Sequence, residues 1–277
     1  MRTLLVLARV SNLPTVWSNC LAAWLLAGGR SWAAFGLLCA GMTLLYTGGM
    51  FLNDAVDQAF DRRYRPERPI VAGKISARTV WVLSWIWLSA GWLLCLWLGK
   101  WPAIFGSILV TAIVSYDVVH KRTVLAPLLM ASCRFLVYVV AASAANEQVI
   151  SRVITPAVAL AVYIVGLSYL ARGESSGTGS VRWTVVLVFA PALAAFARPD
   201  QFGVELWMVL AAQILWTAWC IWPGQAPRRQ IMPRGVAGLL AGIVLVDMLA
   251  AAGHGYSAVF PGLFVLAILL QRLAPAT

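Results

Sequence analysis

An acidic stripe is the feature of this sequence best suited to chemistry. Asp54, Asp57 and Asp61, with the amide Asn53 beside them, end an apolar stretch in a chain with only ten acidic residues. On a helix, their spacing of three and four residues places them within an arc of about 60° over about 10 Å of rise. Carboxylates this close repel one another unless a cation screens them, and Mg2+ prefers oxygen ligands. The stripe therefore predicts a catalytic magnesium site held by the three aspartates.

The elements that must position this stripe are membrane helices. Of the 277 residues, 61% are hydrophobic and 11% are charged, and the mean hydropathy is +0.83, which is outside the range of a soluble domain. One all-α transmembrane domain over residues 1–277 is expected, because no polar connection is long enough for a second domain. Its nine or ten spans are predicted from the apolar stretches at 13–29, 33–56, 79–99, 101–117, 123–144, 153–171, 182–197, 203–222, 235–252 and 257–271.

Basic residues are distributed unevenly over the two sides of these spans. Alternation puts 16 of the 21 Lys and Arg residues on the side of the acidic stripe and four on the other, namely Arg30, Lys100, Arg152 and Arg198. Because basic loops stay in the cytoplasm, the stripe is expected to face the cytoplasm from a bacterial inner membrane. The net charge of +11 fits loop retention and attraction to membrane lipid or anionic substrates. Nucleic acid is not an expected partner.

The side chains around the stripe suit a diphosphate ester of a long apolar alcohol. Its phosphate oxygens could be contacted by four basic residues, Arg68, Lys74, Lys121 and Arg122. Loss of diphosphate leaves negative charge on the leaving group and positive charge on the allylic carbon. Mg2+ and basic side chains stabilise the first charge, and aromatic faces could stabilise the second. The aromatic candidates are Tyr46, Tyr116, Tyr138 and Tyr169.

The segment 53–76 resembles the first signature of the UbiA superfamily of intramembrane prenyltransferases. The resemblance is carried by Asn53-Asp54-x-x-Asp57-x-x-x-Asp61, then by Arg65 and the run 68–76. The segment 116–122 is similar to the Tyr-x-x-x-Lys loop after the fourth helix of that family. The resemblance implies Mg2+-dependent transfer of a prenyl group from a prenyl diphosphate to a small, for example aromatic, acceptor within the membrane.

A second signature of that family, Asp-x-x-Tyr-x-x-x-Asp after the sixth helix, is altered in this chain. Alignment on Tyr169 puts Gly166 and Gly173 at the positions of the aspartates. Glu174 is then the remaining acidic candidate, and Arg172 stands beside it. Arg172 could bind the diphosphate with its fixed charge in place of a second Mg2+.

Arg134 lies about halfway through the fifth predicted span, where an unpaired charge is costly. It could contact substrate, or it could form a buried pair with Glu174, Asp117 or Asp247. Together with the altered second signature, the pair Cys133-Arg134 is similar to the EboC-like branch of the superfamily.

Three further features near the stripe carry predictions. Asp117 could be a metal ligand or base, or it could pair with Lys121 four residues later. His120 is interpreted as a loop residue at the interface rather than a general base. The pair Gly48-Gly49 predicts close helix packing or a bend before the stripe.

Two other functions are weighed against prenyl transfer. The altered second signature is compatible with a protein that binds or transports an isoprenoid or another small metabolite without full catalysis. A CDP-alcohol phosphotransferase also uses membrane aspartates, but the Asp-Gly and Ala-Arg spacing expected of that class is absent around residues 54–61.

Overall fold

The computed structural model of the protein describes residues 2–146, 150–176, 182–196, 203–222, 231–256 and 258–274, without the side chains at 150–151, 173–176, 182–183 and 231–234. The described chain is all-helical, as predicted. Its α-helices are α1 (Arg2–Leu7), α2 (Leu13–Leu26), α3 (Trp32–Val56), α4 (Gln58–Tyr64), α5 (Ala77–Leu98), α6 (Lys100–Val119), α7 (Ala126–Ala145), α8 (Ile150–Ser176), α9 (Arg182–Leu187), α10 (Ala190–Phe196), α11 (Val204–Ile221), α12 (Ile231–Ala251) and α13 (Val259–Gln271).

Six of these helices, α3, α5, α6, α7, α8 and α11, are long and apolar enough to cross a bilayer, and α12 and α13 contain shorter apolar helices. The predicted seventh span, 182–197, is instead two short helices, α9 and α10. Pro191 explains the interruption. In a continuous helix its ring would clash with the carbonyl group of Leu187, and α9 ends at that residue. The chain is therefore an integral, multi-pass membrane protein.

Helix α2 is the central helix of the bundle. Twelve of its 14 residues are buried, and it packs against α3, α7, α12 and α13. In contrast, only 28% of the membrane-spanning window is buried in each of α5, α6 and α11, so these helices offer apolar faces to lipid. A helix surrounded by protein can hold polar groups that lipid would not tolerate, and α2 buries Thr15, Ser18 and Asn19.

Helices α3 and α5 approach each other closely through glycines. A Cβ on Gly48 would lie 2.9 Å from Leu88 Cγ and 3.0 Å from the Ser84 carbonyl oxygen, and one on Gly91 would lie 2.8 Å from the Gly41 carbonyl oxygen. Small residues allow helix backbones in membranes to approach in this way. The predicted packing role of Gly48 is confirmed, and α5 thereby fixes the helix that carries the acidic stripe.

The acidic stripe lies where α3 passes into α4. Asp57 joins the two helices with φ −74° and ψ −1°. Its N–H donates to the Asn53 carbonyl and its own carbonyl accepts from the Asp61 N–H, both at 2.9 Å, so the helical register continues across the junction. Helix α4 ends just before Arg65, whose φ is −142°, because Pro66 disfavours the helical conformation of the residue before it. The predicted break near Arg65 is confirmed.

Candidate active site

The three aspartates of the stripe and their amide neighbour are buried together. Asp54, Asp57 and Asp61 are 4%, 7% and 3% exposed, and Asn53 is 5% exposed. A carboxylate removed from water must be compensated by cations or hydrogen bonds. The cluster is therefore not a helix end that water solvates. The basic and amide side chains that contact its carboxylates determine what it can bind.

Arg9 and Arg68 both approach one oxygen of Asp54. Arg9 Nη2 and Arg68 Nη1 each lie 3.4 Å from Asp54 Oδ1, and Arg9 Nη2 also donates to Asn53 Oδ1 at 3.1 Å. Arg9 lies before α2 with φ 43° and ψ 52°, a left-handed conformation that costs a non-glycine residue about 1–3 kcal/mol. Arg68 is thus at the site that its motif predicts, whereas sequence analysis did not identify Arg9.

Asp57 is held by two consecutive residues at the end of α6. His120 Nε2 and Lys121 Nζ each lie 3.2 Å from Asp57 Oδ2. Burial alone would raise the pKa of Asp57, but the hydrogen bond and charge of His120, followed by those of Lys121, lower it below its ordinary value. Tyr116 stacks on His120 with ring centroids 5.0 Å apart. The segment 116–121 therefore belongs to the aspartate cluster, and His120 is a member that sequence analysis did not place there.

Asp117 also joins the cluster, through Asn53. Asn53 Nδ2 donates to Asp117 Oδ1 at 3.1 Å, while Lys121 pairs with Asp57. The sequence predicts that Asp117 either serves the site as a metal ligand or base, or pairs with Lys121. The described contacts place its carboxylate beside the site, whereas Lys121 pairs with another aspartate. Asp117 is 2% exposed, and its Oδ2 is buried without a hydrogen-bond partner in the described structure.

Asp61 has a similar orphaned oxygen. Its Oδ1 is buried and lacks a hydrogen-bond partner among the described residues. Burial, with Arg68 opposing and the charges of Asp57 and Asp54 adding to it, raises the pKa of Asp61 above its ordinary value. This carboxylate is the member of the stripe that would gain most from an added cation.

The donor chemistry of the cluster fits a hard divalent cation such as Mg2+. Its donors are carboxylate and amide oxygens, and two of the buried carboxylate oxygens have no hydrogen-bond partner among the described residues. The side chains are not yet arranged around one point, since the described residues contain no group of three His, Cys, Asp or Glu set to hold a metal ion. Instead, basic side chains form ion pairs with the carboxylates of Asp54 and Asp57.

Arg172 and Tyr169 bind the backbone of the loop between α6 and α7. Arg172 Nη2 donates to the His120 carbonyl at 2.8 Å, and Nη1 lies 3.3 and 3.4 Å from the Thr123 and Val124 carbonyls. The Tyr169 hydroxyl donates to the Val124 carbonyl at 3.1 Å. The altered second signature thus reaches the site through the loop that carries His120.

Three other predicted residues are placed less closely. Lys74 and Arg122 are exposed, and neither takes part in the ion pairs formed within the described residues. The side chain of Glu174 lies outside the described residues, although its backbone belongs to α8.

Arg134 is held inside the bundle by α2. It donates to Asn19 Oδ1 at 2.8 Å and to Thr15 Oγ1 at 3.0 Å, and its guanidinium lies 6.0 Å from the centroid of the Tyr46 ring. The Tyr46 hydroxyl in turn lies 3.5 Å from the Arg9 carbonyl oxygen. Arg134 is therefore connected to the aspartate cluster through Tyr46 and Arg9.

Asp247 is the charge that balances Arg134, although the two do not pair directly. Asn19 Nδ2 donates to both Asp247 oxygens at 2.9 and 2.7 Å, Ser18 donates to one of them, and Tyr138 donates at 2.5 Å. Asp247 is 0% exposed. Of the partners predicted for Arg134, Asp247 is the one reached within the described side chains, through the amide of Asn19; the side chain of Glu174 lies outside them.

The fold and the site define a polytopic membrane protein with a buried aspartate cluster surrounded by basic side chains where α3 passes into α4. The UbiA prenyltransferase family matches residues 11–222, and the chain belongs to that family.

Curated relatives match over a short part of the chain. A 4-hydroxybenzoate octaprenyltransferase of Cupriavidus necator is 37% identical over 71 residues, and its counterpart in Cupriavidus pinatubonensis is 35% identical over 71 residues. Each match covers 24% of this chain and 25% of the relative. The chain thus aligns with about a quarter of the length of these relatives.

Solved structures match over nearly the whole chain. A structure described for digeranylgeranylglyceryl phosphate synthase has a TM-score of 0.66 at 18% identity, covering 91% of this chain and 97% of that one. The apo structure of a UbiA homologue from Aeropyrum pernix K1 has a TM-score of 0.62 at 17% identity, covering 96% and 98%. A UbiA homologue from Archaeoglobus fulgidus bound to GPP and Mg2+ has a TM-score of 0.54 at 12% identity, covering 99% and 98%. These likenesses establish the fold.

Proposed function

We propose that the chain transfers a prenyl group from a prenyl diphosphate to a small, for example aromatic, acceptor within the membrane, with Mg2+ as cofactor. Membership of the UbiA prenyltransferase family supports the reaction class. The names of the curated relatives support an aromatic acceptor, and the neighbour bound to GPP and Mg2+ supports the donor and the metal. The observation that carries the proposal is the buried aspartate cluster between four basic side chains.

Asp54, Asp57 and Asp61, with Asn53, are the residues that would hold the metal. Bound Mg2+ supplies positive charge that stabilises the departing diphosphate. Arg68 and Lys121 already lie within 3.4 Å of an aspartate oxygen, so each can exchange that carboxylate for a phosphate oxygen when the diphosphate enters. Such exchange keeps the buried charges paired in both states.

The remaining basic residues are proposed to have different roles according to their distance from the aspartate cluster. Lys74 and Arg122, which are exposed, would meet the outer phosphate oxygens. Arg9, beside Asp54 and Asn53, joins them as a further diphosphate contact. Arg134 and the ring of Tyr46 lie deeper, where a pocket for the acceptor or the allylic carbon would be.

Arg172 is proposed to act as a positioning residue. Its contacts with the carbonyls of the α6–α7 loop support a role in holding His120 and Lys121 against Asp57. Tyr169 assists from the same helix. This role replaces direct diphosphate binding as the hypothesis for Arg172, and Glu174 remains a candidate for the substrate pocket.

The placement of the protein is part of the proposal. The whole chain, 1–277, forms one transmembrane domain in a bacterial inner membrane, with the aspartate cluster towards the cytoplasm. The uneven distribution of basic residues supports this orientation. The EboC-like branch remains our hypothesis for the subgroup, based on the altered second signature.

Diphosphate release in lipid nanodiscs tests the proposed function. Protein is given Mg2+, an aromatic acceptor such as 4-hydroxybenzoate, and a series of prenyl diphosphates of increasing length. We expect release with at least one donor, a loss of about a hundredfold or more in Asp57→Asn, and no change in Glu67→Gln, which removes an exposed carboxylate from the neighbouring loop.

A carrier is the second candidate function, favoured by the glycines in the second signature and by the aspartates being paired with basic side chains. Tight Mg2+-dependent binding of prenyl diphosphate with no release for any donor would support the carrier and reject the transferase.

A further inference from the structure

A cavity of about 610 Å³ opens at the end of the bundle opposite the aspartate cluster. From Ala34 at this cavity to Asp54, α3 advances 20 residues, or about 30 Å, so the cavity is separate from the candidate active site. Its apolar part is formed by the ends of α2 and α7, including Trp24, Leu26 and Ala145. Its polar part consists of Arg30, Ser31, Asn146, Arg152 and His254.

The two guanidinium groups of the cavity come from different elements. Arg30 precedes α3, and Arg152 lies in the first turn of α8. Both are exposed, and within the described part of the chain neither lies within 4.0 Å of a carboxylate. Two cations that share a cavity without a described counterion are arranged to receive an anion.

These cations are also on the side of the membrane where basic residues are rare. Arg30 and Arg152 are two of the four Lys and Arg residues that span alternation places on this side. A third, Lys100, lies 5.8 Å from the ring centroid of Trp101 instead. Because basic residues on this side oppose the topology signal of the loops, the convergence of two of them in one cavity calls for another use.

Further hydrogen-bonding side chains complete the polar part. The His254 ring is held at the cavity with Nδ1 3.2 Å from the Ala252 carbonyl oxygen. Ser31 caps α3 by accepting from the Ala34 N–H at 3.3 Å. Since α3 begins and α2 ends at this cavity, their helix dipoles offset each other. The positive field of the cavity thus comes from the two arginines.

The depth of the cavity in the bilayer is indicated by an aromatic pair beside it. Trp32 and Tyr256 are 46% and 57% exposed and pack edge to face at 4.9 Å. Exposed Trp and Tyr concentrate where headgroups meet the hydrocarbon core. The chain neighbours of this pair, Ser31 and the turn at His254, therefore place the cavity at headgroup level.

We propose that this cavity binds a phosphate group, with Arg30 and Arg152 as its principal contacts. An apolar floor beside a cationic rim at headgroup depth suits the phosphate and first chain carbons of an anionic phospholipid. Free inorganic phosphate offers the same charge and oxygens without the chains. The site is independent of the aspartate cluster and of the reaction proposed for it.

Isothermal titration calorimetry on the purified full chain in detergent distinguishes these sources. The probes are dihexanoyl phosphatidylglycerol, dihexanoyl phosphatidylcholine and inorganic phosphate. The test variant is Arg30→Gln/Arg152→Gln. The matched control is Lys100→Gln, which removes a positive charge from the same side but outside the cavity. Thermal unfolding of each variant checks the fold, which should be retained because both arginines are exposed.

We expect phosphatidylglycerol to bind the native chain at least tenfold more tightly than phosphatidylcholine, and the double variant to lose about tenfold or more of that affinity. Lys100→Gln should change it less than twofold. Binding of inorganic phosphate alone, with the same loss in the double variant, would keep the phosphate site but assign it to a free anion. If neither phosphatidylglycerol nor inorganic phosphate binds, or if the double variant binds them as tightly as the native chain does, the proposal is wrong.

Discussion

Replacing Arg172 tests whether the altered second signature acts through the loop between α6 and α7. In the substitution Arg172→Met, the 2.8 Å hydrogen bond to the His120 carbonyl and the two longer contacts at 3.3 and 3.4 Å are lost. A hydrogen bond from a charged donor contributes about 1.5–3 kcal/mol, and longer contacts contribute less. The ordered conformation of the loop should therefore lose about 2–3 kcal/mol of stability, equivalent to a factor of about 30–150 in the equilibrium constant between its ordered and disordered states.

The expected kinetic result follows from where that loop leads. His120 and Lys121 contact Asp57 from this loop, so its disorder should lower kcat for diphosphate release by about 30-fold or more. Hydrogen exchange should increase at the backbone amides of 120–125. Arg78→Met is the matched control, since it removes an exposed arginine outside the site, and it should change neither measurement.

Two conservative variants separate positioning from direct diphosphate binding. Arg172→Lys keeps a positive charge but loses the planar fork, so positioning predicts a lower kcat with little change in KM. Tyr169→Phe removes the 3.1 Å bond to the Val124 carbonyl without changing the charge, and should lower kcat about threefold to tenfold. The positioning role would be refuted if Arg172→Met raised the KM for prenyl diphosphate at unchanged kcat while Tyr169→Phe left both constants unchanged. Arg172 would then be a direct contact of the diphosphate.

Three further predictions concern packing, the buried polar network and the metal. Gly48→Leu should lower stability by about 1–3 kcal/mol, because its Cβ would lie 2.9 Å from Leu88; unfolding in detergent should show no such loss for Gly36→Leu, whose Cβ would meet nothing within 4 Å. Asn19→Leu leaves both Asp247 oxygens without the amide donor and should cost about 3–5 kcal/mol, so a variant with native melting temperature would contradict the network. EDTA should abolish diphosphate release yet leave phosphatidylglycerol affinity unchanged; parallel loss of both would show that the two sites are not independent.

The membrane spans and the acidic stripe could be predicted because both are local patterns. Apolar length specifies a span, and a spacing of three and four residues specifies one helix face. The interruption of the seventh span was also visible in principle, since Pro191 marks it, but hydropathy alone treats 182–197 as continuous. The branch of the family and the acceptor are specified by pocket shape, which such patterns do not contain.

The partners of the aspartates could not be predicted, because they depend on packing between distant segments. Arg9 is 45 residues from Asp54. Its backbone is left-handed, but the sequence gives no sign of this because the residue is not a glycine. His120 gave a signal: it stands four residues after Tyr116, at the place of the lysine in the Tyr-x-x-x-Lys loop. Sequence analysis chose Lys121, one residue later, and the structure places both on Asp57.

The hydrogen bonds between Asn19 and Asp247 have a consequence for biogenesis. Asn19 enters the membrane early in synthesis, whereas Asp247 is synthesised 228 residues later. Arg134 is therefore inserted into the bilayer before the aspartate that balances its charge. A lone charge at mid-membrane costs about 2.5–3.5 kcal/mol on insertion, which favours keeping α7 beside the insertion machinery or a helper protein until α12 arrives. Nascent chains halted before α12 should therefore be held, or degraded, rather than released as a stable partial bundle.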